Sequence, residues 1–267
     1  KKTYTHGTFG NIISYFDYGN TSNNCHKDDY FATITYHPDQ NNKYILSIPS
    51  SITVTDNFYN RLMRKRETTI DFNTGDVTGL KVYLNNTTYA ETNYFYDQYG
   101  NITHVDSPID ANQQRQHYSF AYDLSIHTYP IQITNESLNL SSSSAYDINF
   151  GKPIQIIDIN GQTMIYENDR FGRTTKIISP NEFDPLNQSA YTIKFEYWLS
   201  NSTSSMNNIP YAKTQHYDLQ HPTNPIETVL FTDGFGKVIQ TKKDIDIDGV
   251  EKRVVSGFVK YDIYGRV

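Results

Sequence analysis

Tyr96-Asp97-Gln98-Tyr99-Gly100-Asn101-Ile102 decides how this chain is read, because its pattern returns again and again. The unit is an aromatic residue, Asp or Asn, two residues of which the second is often aromatic, Gly, a polar residue such as Arg, Asn or Lys, and a β-branched residue. Clear copies are Tyr146-Asp147-Ile148-Asn149-Phe150-Gly151-Lys152, with one extra residue, and Tyr261-Asp262-Ile263-Tyr264-Gly265-Arg266-Val267. Altered copies are Phe16-Asp17-Tyr18-Gly19-Asn20, Asn168-Asp169-Arg170-Phe171-Gly172-Arg173-Thr174 and Thr232-Asp233-Gly234-Phe235-Gly236-Lys237-Val238, with Thr8-Phe9-Gly10-Asn11-Ile12 as a partial one. Weaker echoes surround Asp71-Phe72-Asn73-Thr74-Gly75 and Asp158-Ile159-Asn160-Gly161. Physically, the unit reads as a hairpin. The Tyr packs on a strand face, the Asp caps its own turn through backbone N–H groups ahead of it, and the Gly takes a positive φ closed to most residues. Gly151 to Gly172 is 21 residues, enough for two short strands and two turns. A lone hairpin cannot bury its face, so several consecutive units must support one another.

The rest of the chain agrees with strands. Its 267 residues hold 23 Tyr and 14 Phe, so aromatics make up 14% of a chain that is only 37% hydrophobic, a mix that suits pleated surfaces and turns better than helices. In Tyr191-Thr192-Ile193-Lys194-Phe195-Glu196-Tyr197, apolar and polar residues alternate as in a half-buried strand. Thr33–Tyr36, Ile52–Thr55 and Lys237–Thr241 read the same way. Turn signals interrupt these runs every ~8–12 residues, the spacing of an all-β meander. No Pro- or Gly-rich linker divides the chain, so residues 1–267 are expected to form one region of about a dozen short strands in one continuous, curved antiparallel sheet. The low-complexity tracts Ser141–Ser144 and Asn201–Ser205 are expected to be loop tips. The last unit stops directly after its turn, at Val267, which suggests a segment of a longer array.

Charge and cysteine content exclude several function classes. With 23 Lys+Arg against 29 Asp+Glu, the net charge of −6 disfavours a phosphate-neutralising surface, so no nucleic acid is expected. No run approaches the ~18 apolar residues of a membrane span, and the opening residues show no apolar stretch followed by a small-residue cleavage site. One cysteine, Cys25, supports neither an internal disulfide nor a cysteine-rich zinc site.

The Tyr-Asp…Gly-Arg unit at a period near 21 residues resembles the YD repeat of the RHS family, from Phe9-Gly10-Asn11 to Gly265-Arg266-Val267. Asp158–Thr163 leading to Phe171-Gly172-Arg173, and then Phe231–Asp244, are similar to the RHS-repeat region of proteins akin to the insecticidal toxin-complex B component. The resemblance implies a β-ribbon wound into a shell that encloses a toxic polypeptide. It also implies a secreted or cell-surface bacterial setting, with the remainder of the shell, a cargo polypeptide or another toxin subunit as partners. Two family elements are missing. Asp184-Pro185-Leu186-Asn187 lacks the glycines of the aspartyl self-cleavage motif, and the motif set of an ADP-ribosyltransferase payload is absent.

Isolated chemical candidates read more simply as structure. Asp244-Ile245-Asp246-Ile247-Asp248-Gly249 opens like a calcium-binding EF-hand loop, but its twelfth position is Val255 where a bidentate Glu is needed, and its flanks read as strands. Asp248-Gly249 is then a hairpin turn. His216 and His221 lack a third ligand, and neighbours Cys25 and His26 would point to opposite faces of a strand. Neither a nucleophile elbow nor a phosphate loop occurs. The expectation is a structural wall segment with no catalytic centre, no cofactor and no metal. A glycan-binding adhesion module using exposed tyrosines is the rival reading.

Overall fold

A computed structural model describes residues 1–20, 28–184, 186, 190–199, 209–247 and 250–267. Among them are nineteen β-strands and no α-helix. The chain divides into two compact units, Lys1–Ser141 and Ser142–Val267.

The first unit runs through β1 (Lys2–His6), β2 (Ile12–Asp17), β3 (Tyr30–Tyr36), β4 (Pro49–Asp56), β5 (Leu62–Ile70), β6 (Val77–Tyr83), β7 (Tyr89–Tyr96), β8 (Ile102–Asp106), β9 (His117–Tyr122) and β10 (Pro130–Asn135). Each strand pairs antiparallel with the next in sequence. The second continues with β11 (Leu140–Asp147), which begins at the last residues of the first unit, then β12 (Lys152–Ile157), β13 (Thr163–Asn168), β14 (Thr174–Ile178), β15 (Ile193–Trp198), β16 (Tyr211–His216), β17 (Ile226–Thr232), β18 (Val238–Ile247) and β19 (Val250–Val255). The pairing is again antiparallel and sequential. In such a meander, every second turn falls at the same end of the sheet, and the clear repeat copies share that end within each unit.

Nineteen strands exceed the dozen expected. Connections such as residues 107–116 reverse the chain without a glycine, so turn glycines alone undercount the strands. Ser141–Ser144 also departs from expectation, since these residues lie inside β11, where Ser143 and Ser144 pair with Ile157 and Ile156. A serine run can hold a strand when its hydroxyls find partners across the ladder. The Ser141 hydroxyl lies 3.0 Å from the Gln132 amide and 3.1 Å from the Thr134 hydroxyl. Residues 201–208 lie outside the described residues.

The pleat sorts side chains sharply within the first unit. One face carries the cross-strand row Ile34, Ile52, Arg66, Val82, Ala90, and the other carries Thr35, Ser51, Glu67, Lys81, Glu91. In the second unit, Tyr197, Ala212 and Leu230 share one face while Glu196 and Lys213 share the other. Little of this is deeply covered. Among the described residues, the buried apolar ones are Ala32, Ile70, Ile178 and Val229, and no large side chain is fully buried. The sheet's stability therefore rests on ladder hydrogen bonds, lateral side-chain contacts and the turns.

Candidate functional site: aspartate turns and their tyrosine caps

At the Asp97 turn, the Asp97 N–H donates to Asn101 O (2.9 Å) and the Gly100 N–H to Asp97 O (3.2 Å). The carboxylate then closes the loop from inside: Oδ1 accepts the N–H groups of Tyr99 (2.8 Å) and Asn101 (2.9 Å), and Oδ2 accepts the Asn101 amide (3.0 Å). Gly100 sits at φ 83°, and the register shifts between Phe95 and Tyr96. These are the marks of a three-residue hairpin loop with a left-handed residue and a bulge. Asp169, Asp233 and Asp262 accept the same two backbone donors, with Gly172, Gly236 and Gly265 at φ 73°, 78° and 72°. Arg173 and Arg266 add a guanidinium contact to their own turn aspartates, at 2.7 and 2.8 Å. Asp147 makes a loop one residue longer, in which the Gly151 N–H donates to Asp147 O at 2.8 Å.

Two copies differ. Gly10 ends a turn that begins at Gly7, so a residue without a carboxylate holds the capping position. Asp17 accepts the Gly19 N–H (3.1 Å) and the Tyr15 hydroxyl (2.9 Å), but residues 18–29 separate β2 from β3, so this copy does not close a tight hairpin.

Other turns have the geometry without the full signature. Asp158, read as a weak echo, accepts N–H groups from Asn160 and Gln162, both at 2.8 Å. Asp110 does the same for Asn112 and Gln114, with Gln113 at φ 63° in the glycine position, and Asp56 closes a longer loop with Asn60 at φ 52°. Asp123 goes furthest, since Ser125, Ile126, His127, Thr128 and Tyr129 all direct N–H groups at it. The N–H groups of Ile126, Tyr129 and Thr128 hold its carboxyl far below the usual carboxylate range. At Asp97 and Asp169, burial pushes the carboxyl up, and the bonds from Asn101 and Arg173 outweigh it, leaving both below their ordinary value. The Arg266 N–H and guanidinium lower Asp262 likewise.

Tyrosine hydroxyls supply a second regularity that composition does not reveal. Tyr36 donates to Ile12 O (2.9 Å), Tyr96 to Val77 O (2.8 Å) and Tyr122 to Ile102 O (3.0 Å) in the first unit. In the second unit, Tyr197 donates to Thr174 O (2.8 Å) and Tyr261 to Val238 O (3.1 Å). Each acceptor lies two residues after a turn glycine: Gly10, Gly75, Gly100, Gly172 or Gly236. For β2, β6, β8 and β14, it also lies two residues outside the last ladder pair with the following strand. The hydroxyl thus satisfies a carbonyl where the ladder has stopped. Burial pushes the Tyr96, Tyr122 and Tyr197 hydroxyls up in pKa, which keeps them protonated donors. The residue after the glycine reaches the same way: Arg173 lies over the Tyr197 ring (4.5 Å), Lys237 over that of Tyr261 (5.0 Å), and Asn101 donates to His127 O (2.7 Å). Within each unit, these contacts bolt a turn to the tyrosine that follows it at the same end of the sheet, 19–24 residues on and close to the repeat period. The Gly151 turn lacks this cap, since Asn168 stands at the tyrosine position and the Tyr166 hydroxyl turns to the Met164 sulfur. Tyr146 occupies the matching place at the end of β11, before Asp147.

Elsewhere, Asp244 accepts the Glu227 N–H (2.9 Å) and faces Arg253 (3.2 Å) between paired strands, while Asp248 and Gly249 lie outside the described residues. His216 ends β16, and His221 pairs with Asp218 (2.8 Å) in the following loop. Among the described residues, no three His, Cys, Asp or Glu side chains form a metal-binding group. Cys25, His26 and Pro185 also lie outside the described residues. No helix among them is long and apolar enough to cross a membrane.

No protein-family model and no curated protein matches the chain. Solved structures do. The crystal structure of TcdB2-TccC3 aligns over 98% of the chain at 14% identity and a TM-score of 0.63, using 20% of its own length. The TcdB2-TccC3-Cdc42 structure aligns over 97% at 12% identity and 0.63, and TcdB2-TccC3 without its hypervariable C-terminal region over 97% at 13% and 0.62. The chain spans about a fifth of the length of the solved chains it matches. Serial antiparallel hairpins closed by aspartate turns, together with these alignments, make the chain similar in fold to TcdB2-TccC3 and support its likeness to the RHS repeat.

Proposed function

We propose that this chain is a structural segment of an RHS-type shell, a single β-sheet repeat region whose role is to wall in a polypeptide cargo in a secreted or cell-surface bacterial toxin. The carrying observation is the repeated bolt between same-end turns, in which a turn aspartate, a left-handed residue and the tyrosine of the next repeat act together. Such a device fixes the relation of each hairpin to the next and leaves both faces of the sheet open, as a wall requires and a self-contained globule does not. The paucity of buried apolar side chains supports the same reading. Containment needs no catalytic group. The remaining shell, the cargo and another toxin subunit are the partners this reading requires. Electron cryomicroscopy of the complete gene product tests it: density for a polypeptide inside a β-walled chamber is the expected result, and a chamberless arrangement overturns it.

A glycan-binding module is the second reading, favoured by exposed rings at turn tips, including Phe171 (58% exposed), Phe235 (90%) and Tyr264 (75%). Saturable binding on a glycan array that is lost on replacing these rings would establish it.

A further inference from the structure

Strand β5 distributes its charges unequally between the faces of the first unit. Lys65 and Glu67 lie on the polar face, where they and the neighbouring Lys81, Glu91 and Arg115 all have charged partners. Lys65 meets Glu67 (2.7 Å), the Tyr83 hydroxyl donates to Glu67 (2.7 Å), Lys81 faces Glu91 (3.8 Å) and Arg115 reaches Glu91 (4.0 Å). Arg64 and Arg66 lie on the other face, both exposed, and neither makes a hydrogen bond, ion pair or ring contact among the described residues. Their cross-strand neighbours are apolar: Arg66 stands between Ile52 and Val82, and Arg64 opposite Val54. Two unpaired guanidinium forks in an apolar row call for a partner that brings carboxylates and apolar groups together.

We propose that this face of the first unit binds an acidic polypeptide segment whose carboxylates engage Arg64 and Arg66 and whose apolar side chains cover Ile52, Val54 and Val82. The proposal rests on the reading of the chain as a wall and names the class of polypeptide that wall holds. Side chains two residues apart on a strand are roughly 6.5–7 Å apart, so an extended peptide with carboxylates at alternate positions matches the two arginines in step. A nucleic acid fits poorly. Two cations neutralise few phosphates, and the flanking row of Ile52, Val54 and Val82 offers a sugar-phosphate backbone no polar contacts.

The test is fluorescence anisotropy with a short labelled peptide of alternating glutamate and leucine. Arg64→Gln with Arg66→Gln is expected to weaken binding about tenfold or more, while Lys65→Gln with Lys81→Gln, an equal charge change on the opposite face, leaves it within about threefold. On the unaltered protein, the glutamine-leucine and lysine-leucine peptides are expected to bind far more weakly, a comparison that holds even where a variant does not fold. Equal binding by the arginine variant, by either control peptide, or tighter binding of inorganic polyphosphate overturns the proposal. A chamberless gene product whose peptide binding still needs both arginines would remove the wall reading and leave this face standing.

Discussion

Asp123 shows how much one turn carboxylate carries. Five backbone N–H groups converge on a residue that is only 9% exposed, so removing its charge leaves several donors without an acceptor. Asp123→Ala is expected to lower the melting temperature by several degrees, read by circular dichroism. Its carboxyl titrates below the unfolded value of about 3.9, so the stability it contributes is fully present above that value and is lost as the pH falls through the folded one. Urea midpoints are accordingly expected to drop from about pH 4 downward, less steeply in Asp123→Asn. An unchanged acid slope in that variant would assign the loss to other groups. Backbone strain makes a matched pair of tests. Gly100 (φ 83°) has open space where a Cβ would stand, so Gly100→Ala costs about 1–2 kcal/mol through strain alone, whereas Gln113→Gly at φ 63° relieves strain and raises the denaturation midpoint. Asp110 and Gln113 escaped the sequence pattern because the side chain at the left-handed position varies, although the geometry it must adopt does not.

Between neighbouring elements, the tyrosine hydroxyl is the connection that matters most. Tyr96→Phe keeps the ring and orphans the Val77 carbonyl, at a cost of about 1 kcal/mol, and Tyr197→Phe does the same to Thr174. The two sites share no partner and lie in different units, so their effects on chemical denaturation are expected to add. A double variant much weaker than the sum would mean that distant turns are coupled. The aromatic-Asp…Gly signature made the hairpins and their period legible, yet the cap itself was hidden. Its donor and acceptor are 19–24 residues apart and meet only once the intervening strands have paired.

Contacts in each unit run between strands adjacent in sequence, so cooperation passes from one hairpin to the next. Unfolding of such an array departs from a single all-or-none transition. The chain has one tryptophan, Trp198, stacked on Tyr211 (5.7 Å) in the second unit, which makes a local probe. Urea transitions followed by Trp198 fluorescence and by far-ultraviolet circular dichroism are expected to differ in midpoint. Coincident curves would show that the whole chain unfolds as one body.

The sequence by itself determined the strand class, the antiparallel order and most hairpin positions, because turn chemistry and pleat alternation act over a few residues. It also revealed the repeat from which the family likeness follows. Tertiary structure alone decided that Ser141–Ser144 is strand, that Gln113 and Asn60 stand in for glycine, and that tyrosines close carbonyls one repeat upstream. It alone set paired Lys65 and Glu67 against unpaired Arg64 and Arg66. Each of these depends on register, which brings together residues the chain holds far apart, and no local pattern records it.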